Sequence, residues 1–157
     1  MRGAIPFLCA VFAVRAALGA LFQAPGAAGP VLLPEFGLDW TAFGTLVGLF
    51  WFPGLVLVYP LGLAARRLGD RTGSLLGLGF LTLGALVCAA AVGSPMPLYA
   101  GRLLMGVGTV LVILLMTKMM QDRFQGADLF LAMSVYVLGW PIGIAAAQAV
   151  LPPLALN

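Results

Sequence analysis

The stretch LYAGRLLMGVGTVLVILLMTKMM, residues 98–120, decides the fold class of this chain. Between Arg102 and Lys118 it carries no charged residue, and most of its side chains are aliphatic. An α-helix needs about 20 apolar residues to cross the hydrocarbon core of a bilayer, and this stretch is long enough. Because backbone groups in lipid must find hydrogen-bond partners within their own segment, the stretch predicts a transmembrane helix.

The composition of the whole chain agrees with that of this stretch. Of the 157 residues, 62% are hydrophobic and only 8% are charged. A soluble domain carries about 25% charged residues, so the charges here are too few to cover a water-facing surface. The net charge of +3 does not indicate nucleic acid, because the basic residues are spread between apolar runs and form no patch. The composition therefore predicts the lipid bilayer, and no nucleic acid, as a partner.

Five apolar runs predict an all-α membrane protein with five transmembrane helices in a single domain, residues 1–157. Asp39 stands where it caps the start of the second run. The first run follows Arg2 and also resembles a cleaved signal peptide, but Arg15 interrupts it and the run continues past any cleavage site. The runs are 5–33, 40–65, 74–92, 98–120 and 129–151.

The charges between the runs predict the orientation, because basic linkers favour the cytoplasmic side of a membrane. If the spans alternate, the basic residues outside them fall on one side, and two acids and the uncharged turn 93–97 fall on the other. The N-terminus is therefore predicted in the cytoplasm, and we expect a bacterial inner membrane. The basic residues are Arg2, Arg66, Arg67, Arg71, Lys118 and Arg123, and the acids are Glu35 and Asp39.

Several local spacings concern the packing of the predicted helices. Small residues four positions apart let helix backbones approach closely in lipid, although glycine is also simply common in membrane helices. Lys118 and Asp122 are four apart and predict a pair on the helix surface. The small-residue spacings are Gly44 with Gly48 in the second run, and Gly139, Gly143 and Ala147 in the fifth.

Comparison of the chain with itself suggests an internal repeat. Residues 15–19 and 102–106 both begin with arginine and end with glycine. Pro53 and Pro141, which are expected to kink the second and fifth runs, are separated by nearly the same interval as the two arginines. Three spans per unit would give the inverted repeat on which many secondary transporters are built. Coincidence in a sequence rich in Gly, Ala and Leu is the alternative.

The linker between the second and third runs resembles a known signature. Residues 60–71, PLGLAARRLGDR, are similar to Gly-x-x-x-Asp-Arg-x-Gly-x-Arg/Lys, which joins the second and third helices of the major facilitator superfamily. Arg66 stands where the family usually has aspartate, and Asp70 is expected to substitute in part for that acid. The resemblance implies a gating role for this linker. The matching positions are Gly62, Arg67, Gly69 and Arg71.

Two further segments resemble signatures of the same family and are expected to act in helix packing. Arg102, Gly106 and Gly108 match Arg-x-x-x-Gly-x-Gly of the fourth helix. Residues 139–143, GWPIG, resemble Gly-Pro-x-x-Gly with an inserted tryptophan, and so include Pro141 and Gly143. Residues 117–119 and 140–145 look closest to the cyanate-permease-like branch. The resemblance covers the first five of the family's twelve helices. It implies a partial N-terminal six-helix bundle, alternating access, and missing C-terminal helices as partners.

Arg15 is the leading candidate for binding a solute. It lies about ten residues into the first run, where a charge is costly and seldom kept without a use. Gly19 and Gln23 follow at helical spacing and share its face. A cation, a gap and an amide suit a small anionic solute; the alternative is that Arg15 snorkels to the headgroups. Aromatic residues near the two prolines are expected to line the same cavity: Trp51, Tyr136 and Trp140.

The residues that the spans lack narrow the function further. All five acids lie in linkers or at helix ends, and the chain has no histidine, so no intramembrane proton relay is predicted. No catalytic constellation is visible, so we expect no enzyme, metal or cofactor, and Cys9 and Cys88 predict no disulfide. We expect secondary active or facilitative transport of a small anionic solute by a truncated part of a transporter. The alternative is a short membrane protein that acts as an assembly partner or an oligomeric half-transporter.

Overall fold

The computed structural model describes residues 4–155, and Arg2, used above for the orientation, lies outside them. This range forms seven helices and no strand. They are α1 Ala4–Ala27, α2 Gly29–Glu35, α3 Trp40–Gly48, α4 Phe52–Leu68, α5 Asp70–Ala89, α6 Met96–Arg123 and α7 Gly126–Ala155. Five segments of the range are long and apolar enough to cross a membrane: α1, α3 with α4, α5, α6, and α7 as far as Pro153. The prediction of an all-α protein with five transmembrane helices is confirmed.

The second apolar run is interrupted at residues 49–51, between α3 and α4. Pro53 has no N–H, so the carbonyl four residues before it loses its helical donor. The N–H groups of Phe50 and Trp51 donate three residues back instead of four, over 3.4 and 3.0 Å. The carbonyl of Leu46 therefore lacks the donor that a continuous helix would supply.

In the other runs, a side-chain cap and a glycine linker explain where helices begin. Asp39 caps α3 as predicted, because the N–H of Ala42 donates to Asp39 Oδ1 over 2.7 Å. The helix of the third apolar run, α5, begins at Asp70, four residues before the start of the run at residue 74. Gly69 alone links it to α4. Gly69 has φ of 75°, a conformation that glycine adopts at no steric cost. The helix α7 continues through Pro141.

The chain folds into two compact units, one of which is formed by residues 1–31 and 119–157. Within its described part, α1 packs against α7. A Cβ at Gly139 would come within 2.9 Å of Arg15 Cβ and of Phe12 O, so the two backbones are nearly in contact. The buried residues of α7 recur every three or four positions and form one stripe, as the small-residue spacing predicted. They are Ala132, Tyr136, Gly139, Gly143 and Ala147.

The second unit, residues 32–118, contains α3, α4, α5 and most of α6. Glycines let α5 and α6 cross closely: a Cβ at Gly84 would come within 2.6 Å of Gly101 O. In contrast, no atom of another described helix lies within 4 Å of where a Cβ would stand at Gly44 or Gly48. The close packing predicted for those two glycines stays a prediction. The assignment of residues 1–157 to a single domain stays a prediction.

Candidate solute-binding site

Arg15 of α1 lies against the face of α7 that carries two aromatic residues. Its guanidinium carbon is 5.0 Å from the ring centroid of Tyr136 and 4.8 Å from that of Trp140. The two rings share a face because they are four residues apart on one helix. Phe22 of α1 packs on Trp140, with ring centroids 5.6 Å apart. Contacts of this kind stabilise a cation by about 0.5–2 kcal/mol, so the rings hold Arg15 inside the span.

The aromatic rings do not satisfy the hydrogen-bond donors of Arg15. Its Nε and Nη1 atoms are buried and have no hydrogen-bond partner among the described residues. The guanidinium is a cation with five N–H donors in a planar fork and no acceptor. A buried donor without an acceptor costs about 1–3 kcal/mol, and more when it is charged. The arrangement can therefore offer two N–H donor atoms and a positive charge to an incoming acceptor.

Gly19 lies at the contact between α1 and α7, one turn from Arg15. A Cβ at this position would collide with the backbone carbonyl of Trp140. Gly143 makes the equivalent approach from α7, where a Cβ would collide with the backbone of Ala16. These glycines bring the two helices close enough for Arg15 to reach both rings.

The structure does not bring all six predicted solute-binding residues together. The amide of Gln23 lies against its own helix, where a Cβ at Gly26 would come within 2.6 Å of Nε2. It also lies roughly 12 Å from Arg15 along α1, at about 1.5 Å per residue. Trp51 belongs to the other unit and packs on Phe50, with ring centroids 5.8 Å apart. We use the name Arg15 cluster for the four residues that do meet: Arg15, Gly19, Tyr136 and Trp140.

The second arginine inside a span, Arg102 of α6, is held differently. It is only 1% exposed, and its guanidinium carbon lies 4.6 Å from the ring centroid of Phe50. Its Nε donates to Leu46 O over 3.3 Å, the carbonyl that the break before Pro53 leaves without a helical donor. Arg102 therefore supplies the missing donor in the interrupted span, and its hydrogen bond braces α6 against α3.

The two arginine helices repeat one local arrangement. Gly19 packs against the backbone of Trp140, the residue before Pro141, and Gly106 packs against Phe50 O and Pro53. In each case the arginine one turn earlier lies over an aromatic ring of the same proline-containing span. This correspondence supports the internal repeat suggested by the sequence. The two copies differ in one respect, because Arg102 Nε has a backbone acceptor and Arg15 Nε has none.

The linker signature forms an ion pair instead of contributing to the Arg15 cluster. Lys118 Nζ of α6 donates to Asp70 Oδ1 at the start of α5 over 2.7 Å. Both side chains are partly exposed, so the pair stabilises the contact by only about 0.2–1 kcal/mol. The proposed substitution of Asp70 for the acid that Arg66 replaces in the signature stays a prediction. Gly62 has open space beside it, and three arginines of the linker are exposed: Arg66, Arg67 and Arg71.

The sequence did not indicate two aromatic residues that shape these contacts, Phe50 and Phe22. Lys118, for which the sequence predicted Asp122 as a partner, also donates to Asp70, 48 positions away. The ring over Arg102 belongs to Phe50, the neighbour of Trp51. Nothing in the sequence indicated Phe22, since an aromatic residue in an apolar run carries no signal of its own. Among the described residues no group of three or more His, Cys, Asp or Glu side chains is placed to hold a metal ion.

Comparison with known protein families identifies the family of this chain. The family model described as Major Facilitator Superfamily matches residues 7–156, which include the Arg15 cluster, Arg102 and the linker signature. No curated protein and no solved structure matches the chain. The members of this family are membrane transporters, not enzymes. The chain is an integral membrane protein and belongs to the major facilitator superfamily.

Proposed function

We propose that this chain is part of a transporter that moves a small anionic solute across a membrane by alternating access. Membership of the family supports membrane transport, whether secondary active or facilitative. The observation that carries the choice of an anion is Arg15, whose Nε and Nη1 are buried without an acceptor. An oxyanion would neutralise the buried charge and accept from both atoms in charge-assisted hydrogen bonds.

Arg102 serves as an internal comparison for this choice. It begins the same Arg-x-x-x-Gly pattern in the same kind of helix contact, and Leu46 O accepts from its Nε. If Arg15 served only to brace its helix, we would expect a backbone carbonyl to accept from its Nε as well. The difference between the two copies therefore supports a binding role for Arg15 and a structural role for Arg102.

The proposal includes the surroundings of this site. The N-terminus lies in the cytoplasm of a bacterium, because basic linkers favour that side of the inner membrane. The chain is one part of the transporter, and further C-terminal helices complete the solute site. The linker signature, with its Asp70–Lys118 ion pair, acts in gating. The cyanate-permease-like branch stays a prediction, since the family match covers the whole superfamily.

Substitution of Arg15 tests the proposal. Arg15→Gln removes the cation and keeps a polar side chain, and Arg123→Gln is the matched control. Arg123 belongs to the same unit and also lies over a ring, 4.9 Å from the centroid of Phe7, but outside the Arg15 cluster. The measurement is the melting temperature of the purified chain in detergent with sodium acetate, nitrate, phosphate or succinate at constant ionic strength.

We expect at least one of these anions to raise the melting temperature of the wild type and of Arg123→Gln, but not of Arg15→Gln. This follows because ligand that binds only the folded state stabilises it by mass action. A shift that is equal in all three proteins, or the absence of a shift with every anion, would contradict the proposal.

A further inference from the structure

The Arg15 cluster has a charge and a shape that select among anions. Resting on the proposed function, we infer that the solute is a monocarboxylate with a compact apolar body. Within the described part of the unit formed by α1 and α7, the same surroundings disfavour dianions, phosphate esters and zwitterionic amino acids. Three features of the unit formed by α1 and α7 lead to this class: its cations, its acids and its apolar lining.

Arg15 is the single cation at its depth among the described residues of this unit. The next one, Arg123, lies over the ring of Phe7. Phe7 precedes Arg15 by eight residues, which is roughly 12 Å along α1. One guanidinium balances one negative charge, and a second charge on the solute would be desolvated without a partner. Uncompensated burial of a charge costs several kcal/mol, so a monoanion is favoured over a dianion.

The acids in the described part of the same unit lie in terminal turns of helices. Asp122 is in the last turn of α6, and Asp128 is in the first turn of α7. Asp128 precedes Tyr136 by eight residues, again roughly 12 Å along the helix. The ammonium group of an amino acid would therefore lie near the Arg15 cation, with no carboxylate of α7 close by to balance the two positive charges. A solute with a single carboxylate and no ammonium group avoids this cost.

The surroundings of the cluster are suited to an apolar body. The rings of Phe22, Tyr136 and Trp140 lie around the guanidinium. An open apolar groove of about 380 Å³ lies on α1 and α7, beside the positions that precede Arg15 and Tyr136 along their helices. Its residues from α1 lead to Arg15 at helical spacing, so they share its face. The groove is lined by Ile5, Leu8, Cys9, Phe12 and Val135.

Four probes of similar size separate the possible classes of solute. Benzoate is the apolar monocarboxylate, and benzamide is its neutral isostere. Isophthalate adds a second negative charge to the same ring, and phenylalanine adds an ammonium group. Binding of each probe to the purified full chain is measured by calorimetric titration in detergent, for the wild type, Arg15→Gln and the control Arg123→Gln.

We expect benzoate to bind the wild type and Arg123→Gln more tightly than the other three probes do. In Arg15→Gln, benzoate binding should weaken roughly 10- to 100-fold, the loss of hydrogen bonds to a charged group. Circular dichroism of Arg15→Gln verifies that the variant is folded, so that weak binding reports the site.

The other outcomes overturn different parts of the inference. If isophthalate or phenylalanine binds as tightly as benzoate and depends on Arg15, the monocarboxylate class is wrong while the proposed anion transport stands. If benzamide binds as tightly as benzoate, the site does not distinguish a negatively charged solute from a neutral one, and the inference fails. If no probe and none of the simple anions depends on Arg15, both the inference and the proposed function fail.

Discussion

At the residue scale, the two arginines inside the spans should respond differently to the same substitution. Arg102→Gln removes the donor to Leu46 O and the cation over Phe50, both in a fully buried setting. We expect it to lower the free energy of unfolding by about 1–3 kcal/mol. Arg15→Gln loses two ring contacts but also removes a charge whose buried donors have no acceptor, so the two effects offset and we expect a smaller change in stability.

Unfolding of both variants in detergent, followed by circular dichroism, measures this difference. Arg123→Gln is again the control, because it removes an arginine from a ring contact near a helix end. Equal destabilisation by Arg15→Gln and Arg102→Gln would show that Arg15 is also a bracing residue. A loss of solute binding on substitution would then report damage to the fold.

At the scale of helices, the contact between α5 and α6 depends on particular glycines. A Cβ at Gly84 would come within 2.6 Å of Gly101 O and 2.9 Å of Met105 N, and backbone atoms cannot turn aside. We expect Gly84→Ala to cost about 1–3 kcal/mol through the forced separation of the helices. Gly79 of the same helix has no atom of another described helix within 4 Å of its Cβ position, and Gly79→Ala should be neutral or stabilising by up to about 1 kcal/mol. The same unfolding measurement compares the two, and equal effects would contradict the close crossing.

The helices were predictable from sequence because hydropathy and capping are local properties. Asp39 could be assigned as a cap from its position alone, and the spans from their length. The break before Pro53 leaves the carbonyl of Leu46 without a helical donor. The donor that replaces it, Arg102, belongs to another helix and could not be identified from local sequence. Arg15 stood out because a charge in an apolar run is costly. Its contacts with Tyr136 and Trp140 form only because α1 packs on α7, and that packing could not be predicted from the spacing of residues within either helix.

At the scale of the whole molecule, the orientation in the membrane is the property that remains to be measured. The helix α6 has 28 residues and is therefore roughly 42 Å long, enough to cross the bilayer with its interfaces. The linkers at its two ends must then lie on opposite sides of the membrane. Ser94 belongs to the linker before α6 and Gln125 to the linker after it, and both are exposed.

Single cysteines at these two positions give the orientation directly. In a background with Cys9→Ala and Cys88→Ala, we expect a membrane-impermeant maleimide to label Ser94→Cys on intact bacterial cells. Gln125→Cys should be labelled only after lysis, because basic residues such as those at that end of α6 favour the cytoplasmic side. The reverse pattern would place the N-terminus outside. The Asp70–Lys118 ion pair would then face the exterior and could not act as a cytoplasmic gate.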